Sequence, residues 1–311
     1  MVIKGLFYFH PVISKFKYHI LLHTIILMWG FTGILGKLIQ MNPVNLVWYR
    51  ILVAFVALSA AMLFLRKSFR LDSFSQLAKI MLVGIAVALH WVTFYTAISL
   101  STASLGILCL STTTLHVSWL EPIITKRKFS LVEFSLGIVV IYGVYFISSD
   151  SSLDNNYEAL GYGLISAFMG AIFAVFNSKF AQTVSPSKIT FYELISGGIF
   201  LSGVLFFQGK INASLFTMSQ SDFWWLMFLG VLCTSFAFLA TIKVMKKLGA
   251  FTVSLSINLE PVYTIMLAIF ILNENELLGY QFYISSFIIV SVVILNALIK
   301  WFSKKRESLH L

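Results

Sequence analysis

Residues 250–272 read AFTVSLSINLEPVYTIMLAIFIL, an apolar run in which Glu260 is the single charged side chain. Its length matches the roughly 20 residues an α-helix needs to cross a hydrocarbon layer about 30 Å thick. The run also sets that carboxylate beside Pro261, a residue that interrupts helices. Whether the pair carries function depends first on whether the run lies in a membrane.

The rest of the chain answers that question. Its 311 residues are 59% hydrophobic and 11% charged, with a mean hydropathy of +0.91, whereas soluble domains carry roughly 25% charged residues. Ten apolar runs of spanning length are separated by polar punctuation, at 19–40, 44–65, 77–98, 103–125, 130–148, 159–182, 188–208, 223–245, 250–272 and 277–302. A transmembrane β-barrel needs segments of about ten residues with alternating polarity. These runs are longer and apolar on every side, so the expected fold is an all-α integral membrane protein with ten transmembrane helices.

The net charge of +10 suggests nucleic acid in a soluble protein, but its distribution points to a bilayer instead. With a cytoplasmic N-terminus, all Lys and Arg residues except Lys37, Arg50 and Lys210 fall on the inside, 19 of 22. The outer loops carry Asp150, Asp154, Glu158, Asp222, Glu274 and Glu276. Both termini are therefore expected in the cytoplasm. Lys4, Lys15 and Lys17 precede the first run without a small-residue cleavage site, so that helix is expected to stay as an uncleaved signal-anchor. Cys109 and Cys233 fall within spans and are expected to be small packing residues.

The chain also repeats itself. Pro43 is followed by Trp48, Tyr49 and Arg50, and Pro186 at the same spacing by Phe191, Tyr192 and Glu193. STASLGILCLSTTTLH enters the fourth span as LGAFTVSLSINLEPVY enters the ninth, with Ala103 matching Ala250 at an offset of 147. That offset carries the basic turn Lys126-Arg127-Lys128 onto Asn273-Glu274-Asn275. Five spans per half puts equivalent loops on opposite faces, which requires such a charge reversal. The expected organisation is a segment 1–18, one five-helix repeat over 19–148, a second, inverted, over 159–302, and a tail 303–311. The Leu120-Glu121-Pro122 triplet copies Leu259-Glu260-Pro261 in letters but not in repeat position. Glu121 is read as structural, pairing with Lys126 or its neighbours.

Glu260 lies about ten residues into its span, near 15 Å depth at roughly 1.5 Å per residue. A carboxylate there costs on the order of 3 kcal/mol on insertion scales and should face a partner or a watery cavity. Pro261 leaves the Ile257 carbonyl without an intrahelical donor. Ser256, Tyr263 and Thr264 share the helical face of Glu260, and under the offset Glu260 and Tyr263 correspond to Thr113 and His116 in the fourth span. In the third span His90, Trp91 and Tyr95 sit near mid-depth. The two histidines read equally as proton carriers or as packing residues, while Trp91 and Tyr95 read as pocket walls or as helix packing.

In the first span Gly30, Gly33 and Gly36 line one face beside Trp29, a pattern whose leading reading is close helix approach. Asn177 completes the candidate set. Its place near the inner end of the sixth span, with Lys179, and that of Arg50 near the outer end of the second favour interfacial anchors over ligands.

No HExxH pair, GxSxG elbow, Walker loop or paired carboxylate cluster is present, and no loop is long enough for an ATP-binding domain. No enzyme activity, cofactor or metal is expected. The rival reading is a membrane enzyme acting on a lipid or isoprenoid, which should place its reactive residues at headgroup level rather than near the midplane.

WGFTGILGK in the first span, WYRILVAF in the second, LHWVTFYTAISLSTASLGILCLSTTTL through the third and fourth, and LEPVYTIMLAIFILNE in the ninth resemble the EamA-type branch of the drug/metabolite transporter superfamily. The resemblance implies two inverted five-helix repeats around a central cavity lined by spans 1, 3, 4, 6, 8 and 9. It also implies export of small metabolites such as amino acids across a bacterial inner membrane; coupling to protons is expected if Glu260 titrates, and facilitated diffusion if it does not. The family pattern carries a proline near Thr114 and an acidic residue near Arg127; this chain lacks both, which makes the ninth span the chemically dominant one.

Overall fold

The computed structural model describes residues 3–147, 157–248, 256–257 and 259–309, and among them it is helical with no strand. The first half contains α1 (Ile3–Leu38), α2 (Pro43–Phe64), α3 (Phe74–Leu100), α4 (Ala103–Leu110), α5 (Thr113–Thr125) and α6 (Leu131–Ile147). The second contains α7 (Tyr157–Phe180), α8 (Pro186–Phe207), α9 (Gln220–Met227), a π-helical segment (Phe228–Phe236), α10 (Ala237–Leu248), α11 (Glu260–Leu272) and α12 (Tyr280–Leu309). Ala250, the repeat partner of Ala103, and Asp150 and Asp154 of the expected outer loop lie outside the described residues.

Seven helical stretches among the described residues are long and apolar enough to cross a membrane: Phe16–Leu38, α2, α3, Ala103–Thr125, α7, α8 and Gln220–Thr241. Leu131–Phe146, Glu260–Leu272 and Tyr280–Asn296 are shorter apolar helices at the other three positions where the hydropathy pattern puts spans. Phe64, Phe207, Phe270 and Phe287 each project outward with three quarters or more of their surface uncovered. An apolar exterior of this kind is solvated by hydrocarbon, and its helices are held by packing and polar contacts rather than by water exclusion.

Helix ends follow local chemistry. The Asn42 side chain accepts from Val44 N–H at 3.0 Å with Pro43 in the first turn, and Thr102 Oγ1 accepts from Leu105 N–H at 3.0 Å. The halves stop in matched ways. Helices α2 and α8 both have 22 residues and both begin at proline, and their offset of 143 carries Arg66 (φ 50°) onto Gly209 (φ 64°). Helices α5 and α11 both have 13 residues, and the offset of 147 carries the left-handed cap Lys126 (φ 61°) onto Asn273 (φ 53°).

The same offset aligns two interruptions. The fourth span breaks at Ser111-Thr112 and restarts at Thr113; in the ninth, Ser256 and Ile257 are helical, Leu259 is a turn residue and α11 starts at Glu260. This corrects the expectation of one ninth helix kinked by Pro261. Pro261 stands in the first turn of α11, where no N–H is needed.

The halves interlock. Helix α3 packs along α7 and α8, α2 along α8 and the π-helical segment, and α1 along α11 and α10. Close approach depends on glycine: a Cβ on Gly84 would lie 2.0 Å from Ser196 Oγ and 2.5 Å from the Glu193 carbonyl oxygen. At one end, buried Glu274 accepts from Ala103 N–H (2.7 Å) and Ser104 N–H (3.0 Å), capping α4 from the opposite half, while Lys37 Nζ donates to the Ser101 carbonyl. In the equivalent turn of the first half, Arg127 pairs with Glu121 (Nε to Oε2, 3.1 Å) and with Glu133.

Candidate functional site

The polar residues picked out by depth separate into three groups. The largest centres on a residue read from sequence as an interfacial anchor. Arg50 is only 5% exposed, not at an interface. Its Nε donates to Thr234 Oγ1 at 3.2 Å, Nη1 donates to Tyr95 Oη at 3.2 Å, and its guanidinium carbon lies 3.9 Å from the Trp91 ring centroid. Trp91 and Tyr95 are thus buried one turn apart on α3, both turned towards the same cation.

Thr234 belongs to the π-helical segment, and its hydroxyl donates to the Leu229 carbonyl five residues back at 2.9 Å. A wider turn shifts the register of the side chains that follow it, which is why such segments mark functional positions. Here the shift leaves the Thr234 oxygen free to accept from α2.

Glu260 opens α11 and is half-buried. No Arg50 nitrogen comes within 4.0 Å of its carboxylate. The next turn anchors it: Thr264 is fully buried, donates to the Glu260 carbonyl at 3.0 Å, and sits where a Cβ on Gly33 would touch its methyl at 3.0 Å. The glycine face of α1 therefore brings α11 close, as its spacing predicts.

The second group gathers on α7. His90 Nδ1 lies 2.9 Å from the Ser166 carbonyl oxygen, and Ser166 Oγ donates to the His90 carbonyl at 2.8 Å. A carbonyl only accepts, so Nδ1 carries the proton, and the ring is held between Phe94 and Phe173. Thr113 Oγ1 donates to the Ala167 carbonyl at 3.2 Å, and His116 meets the Phe168 ring edge-on at 5.2 Å. These three tie α3 and α5 to α7, and none of them is hydrogen-bonded to Arg50.

The third group lies along α1, α10 and α11. Tyr263 Oη is 2.9 Å from His23 Nδ1, a residue the sequence reading passed over, and Trp29 packs on Phe238 with ring centres 6.2 Å apart. Ser256 is half-buried in the helical turn before α11, and its carbonyl accepts from Leu259 N–H at 3.0 Å. Asn177 stands apart from all of these, against the carboxylate of Glu193. Asn177 Oδ1 and Glu193 Oε1 are both buried without a hydrogen-bond partner among the described residues.

Arg50, Thr234 and Glu193 were missed, and for two of them a signal existed. Arg50 follows Pro43 by seven residues and Glu193 follows Pro186 by seven. That is about 10 Å along a helix, deeper than an anchor needs to be. Thr234 has no such signal, because its role arises from the π-helical turn.

The described residues contain no cluster of three His, Cys, Asp or Glu side chains able to hold a metal ion. Helices long and apolar enough to cross a membrane make this an integral membrane protein. The chain belongs to the EamA-like transporter family, whose model matches residues 16–149 and again residues 158–297. It is 25% identical over 269 residues to an uncharacterized transporter of Archaeoglobus fulgidus, covering 83% of this chain and 90% of that one. A protein of known crystal structure shares the fold with a TM-score of 0.63 at 14% identity, over 91% of this chain and 97% of the other.

Proposed function

We propose that this transporter is a secondary exporter of small organic metabolites such as amino acids, resident in a bacterial inner membrane. Ten helices form two inverted five-helix repeats with both termini in the cytoplasm. The substrate site lies near the bilayer midplane between the repeats, and rocking of helix groups exposes it to each side in turn. The observation that carries this reading is the charged side chain of Arg50, buried inside the bundle and held by Tyr95 and Thr234, together with the half-buried carboxylate of Glu260 at the start of α11. Charged side chains at membrane depth are costly to retain unless they serve a pathway.

The test is efflux from proteoliposomes loaded with labelled amino acids and other small metabolites, with wild type compared against Glu260→Gln under imposed pH gradients. Efflux above that of protein-free vesicles is the expected result, and its absence across the panel sinks the reading. A gradient response present only in wild type assigns proton coupling to Glu260. Equal, gradient-independent efflux in both makes that residue structural.

A further inference from the structure

Arg50 is bonded along part of its guanidinium and open along the rest. Nε and Nη1 donate to the hydroxyls of Thr234 and Tyr95, each at 3.2 Å, and the Trp91 ring covers one face with its centroid 3.9 Å away. Nη2 donates to no described residue and, unlike Asn177 Oδ1 or Glu193 Oε1, it is not closed off by its neighbours. Its two N–H groups therefore point into open space.

The charge is as unmatched as that edge. Thr234, Tyr95 and Trp91 are neutral partners, and no carboxylate oxygen lies within 4.0 Å of an Arg50 nitrogen among the described residues. A guanidinium stays protonated at physiological pH, so this cation cannot shed its charge as a buried lysine can. A cation taken out of water needs an anion beside it, and the residue is only 5% exposed. A group that served only to tie α2 to α3 and to the π-helical segment would not need the charge.

We propose that the Nη2 edge of Arg50 binds the carboxylate of a substrate that carries one net negative charge, an organic monocarboxylate without an amino group. This rests on the transporter reading above and names a substrate class within it. Arg50 and Trp91 belong to the first half and Thr234 to the second, so the open edge lies where the halves meet. Tyr95 and Thr234 fix the plane of the guanidinium, which leaves a charge-assisted hydrogen bond to a carboxylate oxygen without further ordering of the side chain.

Charge balance sets the selectivity. A monoanion makes the site neutral. A neutral amide leaves the positive charge unmatched, and a zwitterion brings a second cation with its carboxylate. A dianion leaves one negative charge in a low-dielectric interior.

The experiment uses the purified full-length protein, with unfolding followed by a thiol-reactive dye. Cys109 and Cys233 are both fully buried and become reactive only on unfolding. Propionate, isovalerate and hydrocinnamate are each titrated beside the amide and the α-amino acid of the same skeleton, at constant ionic strength, with chloride as the inorganic control. At least one acid should raise the melting temperature and bind wild type roughly tenfold more tightly than its amide and its amino acid. Arg50→Gln should remove that preference. Equal binding of acid and amide overturns the proposal, as does an Arg50→Gln protein that keeps the wild-type ratio. An amino acid that binds more tightly than its deamino acid overturns it by placing a negative group beside the ligand, and chloride that matches the acids makes the edge an inorganic-anion site. The comparison on wild type stands even when the variant does not fold. If none of the acids binds, the proposal fails, while efflux of any other metabolite from the proteoliposomes leaves the transporter reading intact.

Discussion

The guanidinium carbon of Arg50 lies 3.9 Å from the ring centroid of Trp91, closer than to Tyr95, whose centroid is 5.9 Å away. The indole face thus adds its negative potential to that of the Thr234 and Tyr95 hydroxyl oxygens around a cation that has no carboxylate in contact, and it joins α2 to α3 at the buried centre. A desolvated cation–π contact contributes about 2 kcal/mol, on top of the packing of the ring. Trp91→Ala should therefore destabilise the protein by about 3–5 kcal/mol, and Trp91→Phe by appreciably less. Thermal unfolding read through the buried thiols checks both, and equal melting temperatures for the two variants would show that the aromatic face is irrelevant.

Helix approach between the halves gives a second expectation. A methyl group on Gly84 runs into Ser196 Oγ and the Glu193 backbone, which cannot be moved as a flexible side-chain tip can. Gly84→Ala should cost at least about 1–3 kcal/mol. A methyl group on Gly161 would meet nothing within 4 Å, and Gly161→Ala should be neutral or slightly stabilising by helix propensity. The same melting experiment compares them.

Glu274 spans the two halves as a cap on α4, with bonds of 2.7 and 3.0 Å to Ala103 and Ser104 N–H. Charged hydrogen bonds of this kind contribute about 1.5–3 kcal/mol. Glu274→Ala should lower the melting temperature accordingly, while Glu274→Gln, which keeps an acceptor, should lower it by less. Matching losses in the two variants would mean that charge rather than acceptor geometry holds the contact.

The proposed orientation is tested by single cysteines at Lys128 and Lys210, both exposed in loops. In intact cells a membrane-impermeant maleimide should label Lys210→Cys, and should label Lys128→Cys only after permeabilisation. Buried Cys109 and Cys233 keep the background low. Labelling in the opposite sense would invert the topology.

Legibility differed by residue. Glu260 was singled out because a lone carboxylate inside an apolar run stands out against its neighbours. Arg50 was misjudged because a long cationic side chain seven residues from a helix start is compatible with snorkelling, and sequence does not reveal that Trp91, Tyr95 and Thr234 enclose it. His90 and Thr113 have the right depth but direct their polar atoms to the carbonyls of Ser166 and Ala167. Their partners are ordinary backbone groups that leave no mark in composition.

By itself the sequence determined that this chain is helical and lives in a membrane, and that its halves echo one another at offsets of 143 and 147. Those properties are sums over neighbouring residues: hydropathy over about 20 positions, charge over a loop, proline and glycine at helix ends. Only the tertiary structure decided which polar residues meet. The bonds of Arg50 reach across 45 and 184 residues, and they depend on the rotation of α3 and on the wider turn that presents Thr234. Rotation and crossing are set by packing among many helices at once, and no local pattern in the chain encodes them.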